Sequence, residues 1–157
     1  MKAVRVRSVL RQEIEAIAIA AYPREACGVF IGTPEYPLDQ FLDCRNEMDE
    51  RHARDPVTYP RTSKNGFVIH GRDLLTAHRL AHRTGRLLTG FFHSHPDADA
   101  YFSDEDARQA LFENAPLYPD VIHVVTGTEG RQIRATKAFA WERESRQFVE
   151  LKIDTTP

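Results

Sequence analysis

Val4 and Val6 alternate with Arg5 and Arg7, a period of two that predicts a strand at the start of the chain. The period then lengthens. Ile14, Ile17, Ala18 and Ala21 fall on one helical face, so a helix is expected over 8–21, with Ser8 as its cap and Pro23 as its stop. Residues 27–31 (CGVFI) form a continuous apolar run ending at Gly32 and predict a buried strand, and a further strand is expected within 36–44. Residues 45–64 are polar, carry Pro56 and Pro60, and predict a loop. After a small apolar run at 67–69, Asp73 opens a predicted helix with Leu74, Ala77, Leu80 and Ala81 inward and Gly85 just past its end. Residues 87–95 (LLTGFFHSH) predict another buried strand. Ser103 starts a helix expected to fade near Asn114 and Pro116. Strands are expected at 121–125, 133–141 and 148–153. Helices and strands mix without a regular βα repeat. That order predicts an α+β fold around a mostly antiparallel or mixed sheet.

Composition narrows the function. A chain of 157 residues with 41% hydrophobic and 28% charged residues is expected to form one globular domain over 1–157. A formal net charge of -2 and the lack of any arginine-rich block exclude the basic footprint of a nucleic-acid binder. Two cysteines, Cys27 and Cys44, are too few for a disulfide framework, which points to a reducing cytoplasm. The apolar stretch at 17–21 is too short for a membrane span. It follows Glu13 and Glu15, unlike the core of a signal peptide.

The chemistry concentrates in HSHPDADAYFSDED, which begins at His93. Side chains two apart on a strand share a face, so His93 and His95 point together, and Pro96 ends the pairing. Asp106 can join them once the intervening loop folds back. Two histidines and a carboxylate suit zinc and leave a fourth position open, the mark of a catalytic site. The pair Ser103 and Asp106 also fits a helix capping box, and the two readings are compatible. Other patterns fail. There is no HExxH and no GxSxG, and the HxHxDH arrangement would place a ligand at Ala98. The deaminase pairing of HxE with PCxxC is missing too. A hydrolytic metal needs a base. Glu25, just before CGVFIG, is the candidate, against the plainer reading of a solvated loop acid.

Taken together, PREACGVFIG, GFFHSHP and Ser103-x-x-Asp106 resemble the signature of the JAMM (MPN-plus) zinc metalloproteases: an early glutamate, HxHP, six residues, serine, two residues, aspartate. The resemblance implies a cytidine-deaminase-like JAB/MPN domain with a curved mixed sheet flanked by helices. It implies one catalytic zinc held by His93, His95 and Asp106, with Glu25 as general base and Ser103 hydrogen-bonding the oxygen of the tetrahedral intermediate. The wording PxEACG looks most like the small prokaryotic, Mec-like branch. That branch implies a ubiquitin-like or sulfur-carrier protein as substrate, cut at a flexible C-terminal tail to remove an extension, a cysteine or a conjugate. Such a tail is expected to end in Gly-Gly and to lie extended along a strand edge. Phe102 stands where the RadC-like branch carries proline, which disfavours that branch. The same motifs also allow a phage-tail peptidase relative, or a non-cleaving MPN-type module that binds ubiquitin-like proteins. His123 is expected as a sheet residue, Cys27 as a buried strand residue, and His78 and His82 as a solvated helix face. Tyr101 and Phe102 can line a groove or cover the core, and the charges at 49–54 read as a solvated loop.

Overall fold

The computed structural model describes residues 2–157. In chain order the elements are β1 (Ala3–Arg7), α1 (Ser8–Ala21), β2 (Cys27–Gly32), β3 (Gln40–Cys44), α2 (Met48–Arg54), α3 (Gly71–Arg83), β4 (Leu87–His95), α4 (Asp104–Ala110), β5 (Leu111–Phe112), β6 (Ala115–Pro116), β7 (Ile122–Glu129), β8 (Gln132–Glu142) and β9 (Gln147–Thr156). Seven strands form one curled mixed sheet in the order β1-β9-β8-β7-β4-β2-β3, and β5 and β6 form a separate hairpin. The β1–β9 and β4–β7 pairs are parallel, and the rest of the sheet is antiparallel. No described helix is long and apolar enough to cross a membrane.

Strand β2 is buried at all six residues because the sheet is covered on both faces there. On one face α1 packs Leu10, Ile14 and Ala18 against Phe30, Phe92 and Val124. On the other, α3 packs Ala77 and Ala81 against Cys27, Val29 and Ile31. Each large side chain buried in this way contributes roughly 1.5–3 kcal/mol. Alternation along β4 sends Phe92 to the α1 face and Phe91 to the α3 face. His93 and His95 follow Phe91 in parity and so emerge on the α3 face, at the end of the strand.

Several elements differ from expectation. Ser8 is the first helical residue rather than the cap. Arg7 stands at the cap, with no side-chain cap bond. The segment at 45–64 is not all loop: α2 forms within it, and it buries only Met48. The strand expected within 36–44 covers only its last five residues. The run at 67–69 makes a single bridge, Asn46 to Ile69. Helix α3 starts two residues before Asp73 and ends as expected, with Gly85 at a φ of 67°. Helix α4 stops at Ala110, short of the expected fade-out. The β5–β6 hairpin takes over, turning at Glu113 and Asn114, which both have positive φ.

Candidate metal centre

The two histidines, Asp106 and Glu25 come from three separate pieces of chain, and the structure brings all four side chains together. His93 and His95 lie at the end of β4, and Asp106 sits in the first turn of α4. His93 Nε2 lies 3.1 Å from His95 Nε2, Asp106 Oδ2 lies 3.1 Å from His93 Nε2, and His95 Nε2 is 3.3 Å from the same oxygen. Zinc bonds of about 2.0–2.1 Å at tetrahedral angles set donor-to-donor distances near 3.3–3.4 Å. The donor triangle therefore fits a tetrahedral ion with one face open. Glu25 joins from the β2 side: a carboxylate oxygen and both Nε2 atoms lie within 4.8 Å of one another, in a cluster able to hold a metal. Asp106 is the nearer carboxylate.

Local structure fixes each donor. The His95 Nδ1–H donates to the Asp99 carbonyl at 3.0 Å, which leaves Nε2 facing the triangle. The His93 ring stacks on Phe67 at 4.6 Å. Ser103 caps α4 in a true capping box: its Oγ accepts from the Asp106 N–H at 3.0 Å, and Asp106 Oδ2 accepts from the Ser103 N–H at 2.9 Å. The capping and metal-site readings of this pair thus coexist, because the box aims Oδ2 at the histidines. Beneath the turn, Gly127 of β7 allows close approach. A Cβ there would lie 2.4 Å from the Ala98 carbonyl oxygen.

Electrostatics follow from burial and from the shared carboxylate. Burial alone would raise the Asp106 pKa, but hydrogen bonds from His93 and His95 outweigh it and hold the group well below the usual carboxylate range. Burial keeps His93 neutral. For His95 burial acts the same way, but the Asp106 and Asp99 hydrogen bonds prevail and raise it. Burial pushes the Glu25 carboxyl up to about 8.

The family described as prokaryotic homologs of the JAB domain matches residues 7–144 of the chain. The chain belongs to the prokaryotic JAB family. Its fold agrees. A solution structure of a protein from Desulfitobacterium hafniense superposes with a TM-score of 0.72 at 23% identity, covering 98% of this chain and 92% of that one. A Salinibacter ruber protein, also solved in solution, gives 0.62 at 24% identity over 99% and 92%. A crystal structure of a JAB1/MPN domain protein from Archaeoglobus fulgidus gives 0.51 at 18% identity over 98% of each chain. No curated protein matches the chain. JAB domains include metallopeptidases, and this one carries a buried cluster suited to a metal.

Three residues that position the JAB site carry no motif. Ser94 faces away from the metal centre and clamps β4 to β2: its Oγ accepts from the Ala26 N–H at 2.8 Å, and its own N–H donates to the Ala26 carbonyl at 3.1 Å. That clamp sits one residue from Glu25. Asp97 accepts from the Tyr22 hydroxyl at 2.7 Å and from the Gly130 N–H at 2.8 Å, tying the turn after His95 to the end of α1 and to the β7–β8 connection. Asn46 donates to the Glu25 and Gly66 carbonyls, both at 3.0 Å, and accepts from the Met48 and Val68 N–H groups. Asn46→Ala is expected to cost about 2 kcal/mol or more, because it strands several backbone groups at once. Urea unfolding with an unchanged m-value checks this.

The other candidates fall into place. His78 and His82 are exposed on α3, and His78 makes only a long contact with Tyr118. Asp49 is not merely solvated. It accepts from both the N–H and the hydroxyl of Ser63, pinning the loop whose Ser63 carbonyl takes the Glu25 N–H. Tyr101 is exposed with its ring 5.1 Å from that of His95, whereas Phe102 packs among His123, Phe139 and Phe148. Cys27 and Cys44 are buried, unbonded and directly opposite each other on β2 and β3.

Proposed function

We propose that this JAB domain is a zinc-dependent peptidase of the JAMM type, acting in the cytoplasm on the C-terminal tail of a ubiquitin-like or sulfur-carrier protein and removing an extension, a cysteine or a conjugate. The observation that carries the proposal is the donor triangle of tetrahedral size with the buried Glu25 carboxylate close beside it.

His93, His95 and Asp106 would hold the ion. Zinc, when bound, lowers the pKa of a water from about 15.7 toward about 7 and polarises the scissile carbonyl. The Glu25 carboxylate accepts the proton of the attacking water and passes it to the leaving amine nitrogen. Burial holds the Glu25 pKa at about 8, close to the working pH, where a proton shuttle is most effective. The Ser103 Oγ spends a lone pair on the Asp106 N–H, so its own hydrogen stays free to donate to the developing oxyanion. The hairpin of β5 and β6 directly follows α4 and has unpaired edges on which an extended tail can pair.

Ser103→Ala is expected to slow turnover by about 10²–10³-fold and to cost about 1 kcal/mol of stability through the lost cap. Steady-state kinetics and thermal melts read the two effects separately. Apparent zinc affinity is expected to fall as pH drops through the His95 pKa, which its hydrogen bonds hold above the usual imidazole value, by roughly tenfold per unit for one competing proton. The proton at stake is the one on His95, since burial keeps His93 neutral and Asp106 stays ionised. Calorimetric titration at several pH values checks it, and a flat profile would contradict the ligand set.

The function itself is tested by intact-mass analysis of ubiquitin-like and sulfur-carrier proteins bearing C-terminal extensions, after incubation with zinc-loaded protein. Loss of mass at the terminal glycine is the expected result. No cleavage anywhere in the panel, with zinc bound, would overturn the reading in favour of a non-cleaving binding module.

A further inference from the structure

The metal centre has two unlike flanks. One is a polar mouth with Glu25, Arg61, Lys64, Asn65, Ser103 and Glu105. The other is an aromatic pocket of about 420 Å³ that shares His93 and Asp106 with the donor triangle. Phe67, Phe91, Phe102 and Tyr118 supply its walls. Phe91 meets Tyr118 edge to face at 5.0 Å, and the rest of the lining is mainly aliphatic.

His123 makes this more than a gap in the core. It is 9% exposed, and what remains open lines the pocket. Its ring is held by Phe91 at 5.9 Å, Phe102 at 4.9 Å and Phe148 at 5.4 Å. Neither ring nitrogen hydrogen-bonds to another described residue. Because the ring lines the pocket and forms no hydrogen bond within the protein, a ligand there can pair with it. Burial keeps the imidazole neutral at physiological pH, leaving one donor and one acceptor on offer.

We propose that this pocket is a side-chain subsite for a bulky aromatic residue flanking the scissile bond, with His123 hydrogen-bonding the polar group of a tyrosine in preference to a bare phenylalanine. The inference rests on the peptidase reading above and adds a substrate preference to it. Continuity argues for a side chain of the substrate rather than a separate ligand: whatever fills the pocket touches His93 and Asp106, and so adjoins the group at the metal. Size agrees, since the volume lies near the lower end of the ~300–1,000 Å³ typical of small-molecule sites. The aromatic lining favours an aromatic guest through edge and offset-stacked contacts. Because the tail is expected to present glycine on the acyl side, the aromatic residue lies on the leaving-group side of the cut.

The test separates the pocket from the chemistry. Zinc-loaded protein is titrated with N-acetyl-tyrosinamide, N-acetyl-phenylalaninamide and N-acetyl-glycinamide at millimolar concentrations, monitored by the His123 ring proton in NMR and by ligand-observed saturation transfer. The tyrosine probe is expected to shift the His123 signal and to bind at least about tenfold more tightly than the glycine probe. His123→Phe is expected to erase the preference for tyrosine over phenylalanine. Ala110→Trp, which fills the pocket from the end of α4, is expected to abolish probe binding while one zinc per chain remains. Equal binding of the tyrosine and glycine probes, or binding untouched by Ala110→Trp, would overturn the subsite. Extended tails carrying tyrosine or glycine just after the cut then read the preference in turnover, and equal kcat/KM for the two also overturns it. Probe binding without any turnover counts against the peptidase reading and leaves the aromatic pocket standing.

Discussion

Glu25→Ala is expected to keep one zinc per chain and to slow the proposed hydrolysis by about 10²–10⁴-fold, the usual contribution of a positioned general base. The expectation separates base from ligand. Asp106 Oδ2 lies 3.1 and 3.3 Å from the two imidazole nitrogens, whereas the Glu25 carboxylate is placed only within 4.8 Å of them. Removing Glu25 leaves the triangle intact. The fold does not suffer either. A carboxyl whose pKa is raised to about 8 in the folded chain binds its proton more tightly folded than unfolded. It therefore detracts from stability increasingly as pH rises from its unfolded value near 4.5 through about 8. Glu25→Ala relieves that cost, so in the metal-free protein the variant melts no lower than wild type at pH 8. Zinc content by elemental analysis, single-turnover rates and a thermal melt make the full check. Lost zinc would recast Glu25 as a ligand, and a wild-type rate would end its assignment as base.

His95→Ala is expected to lose the metal. Removing a partner that merely orients a ligand already costs about 10–100-fold in metal affinity, so deleting a ligand is expected to cost more than about 10²-fold. Activity falls with it. The sheet survives, because β4 keeps its backbone pairing to β2 and β7. The measurement is competitive titration against a chelator, with circular dichroism to confirm the fold. Full zinc occupancy at wild-type affinity would refute the ligand set. Asp106→Asn is the finer variant. Asparagine retains a side-chain oxygen to accept from the Ser103 N–H and so keeps the cap, but it brings no charge to the ion.

The convergence of the candidate residues was legible because their spacing is chemical: two histidines two apart on a strand, then a serine and an acid at a helix start. Strand β4 was legible to the residue because nine mostly apolar positions end at a proline. Helix α2 was not, since it buries Met48 alone and so carries no apolar stripe in a run of charges. That omission hid more than a helix. Asn46, just before it, and Asp49, within it, are the residues that hold the Glu25 segment in place, and they do so through bonds to chain that comes close only on folding. The same limit applies to His123. Along the sequence it is a polar residue in VIHVV, and only the folded chain sets Phe91, Phe102 and Phe148 around it. Ser94 reads as the filler of HSH until β2 is laid beside β4 and its hydroxyl meets the Ala26 N–H.

The question is whether His93, His95 and Asp106 hold the ion while Glu25 stands off as the base. Anomalous scattering at the zinc edge from crystals of zinc-loaded protein tests it most directly. A single peak is expected about 2.0–2.2 Å from His93 Nε2, His95 Nε2 and Asp106 Oδ2, with the Glu25 carboxylate outside bonding distance. A peak bonded to Glu25 in place of Asp106, or none at the triangle, would contradict it.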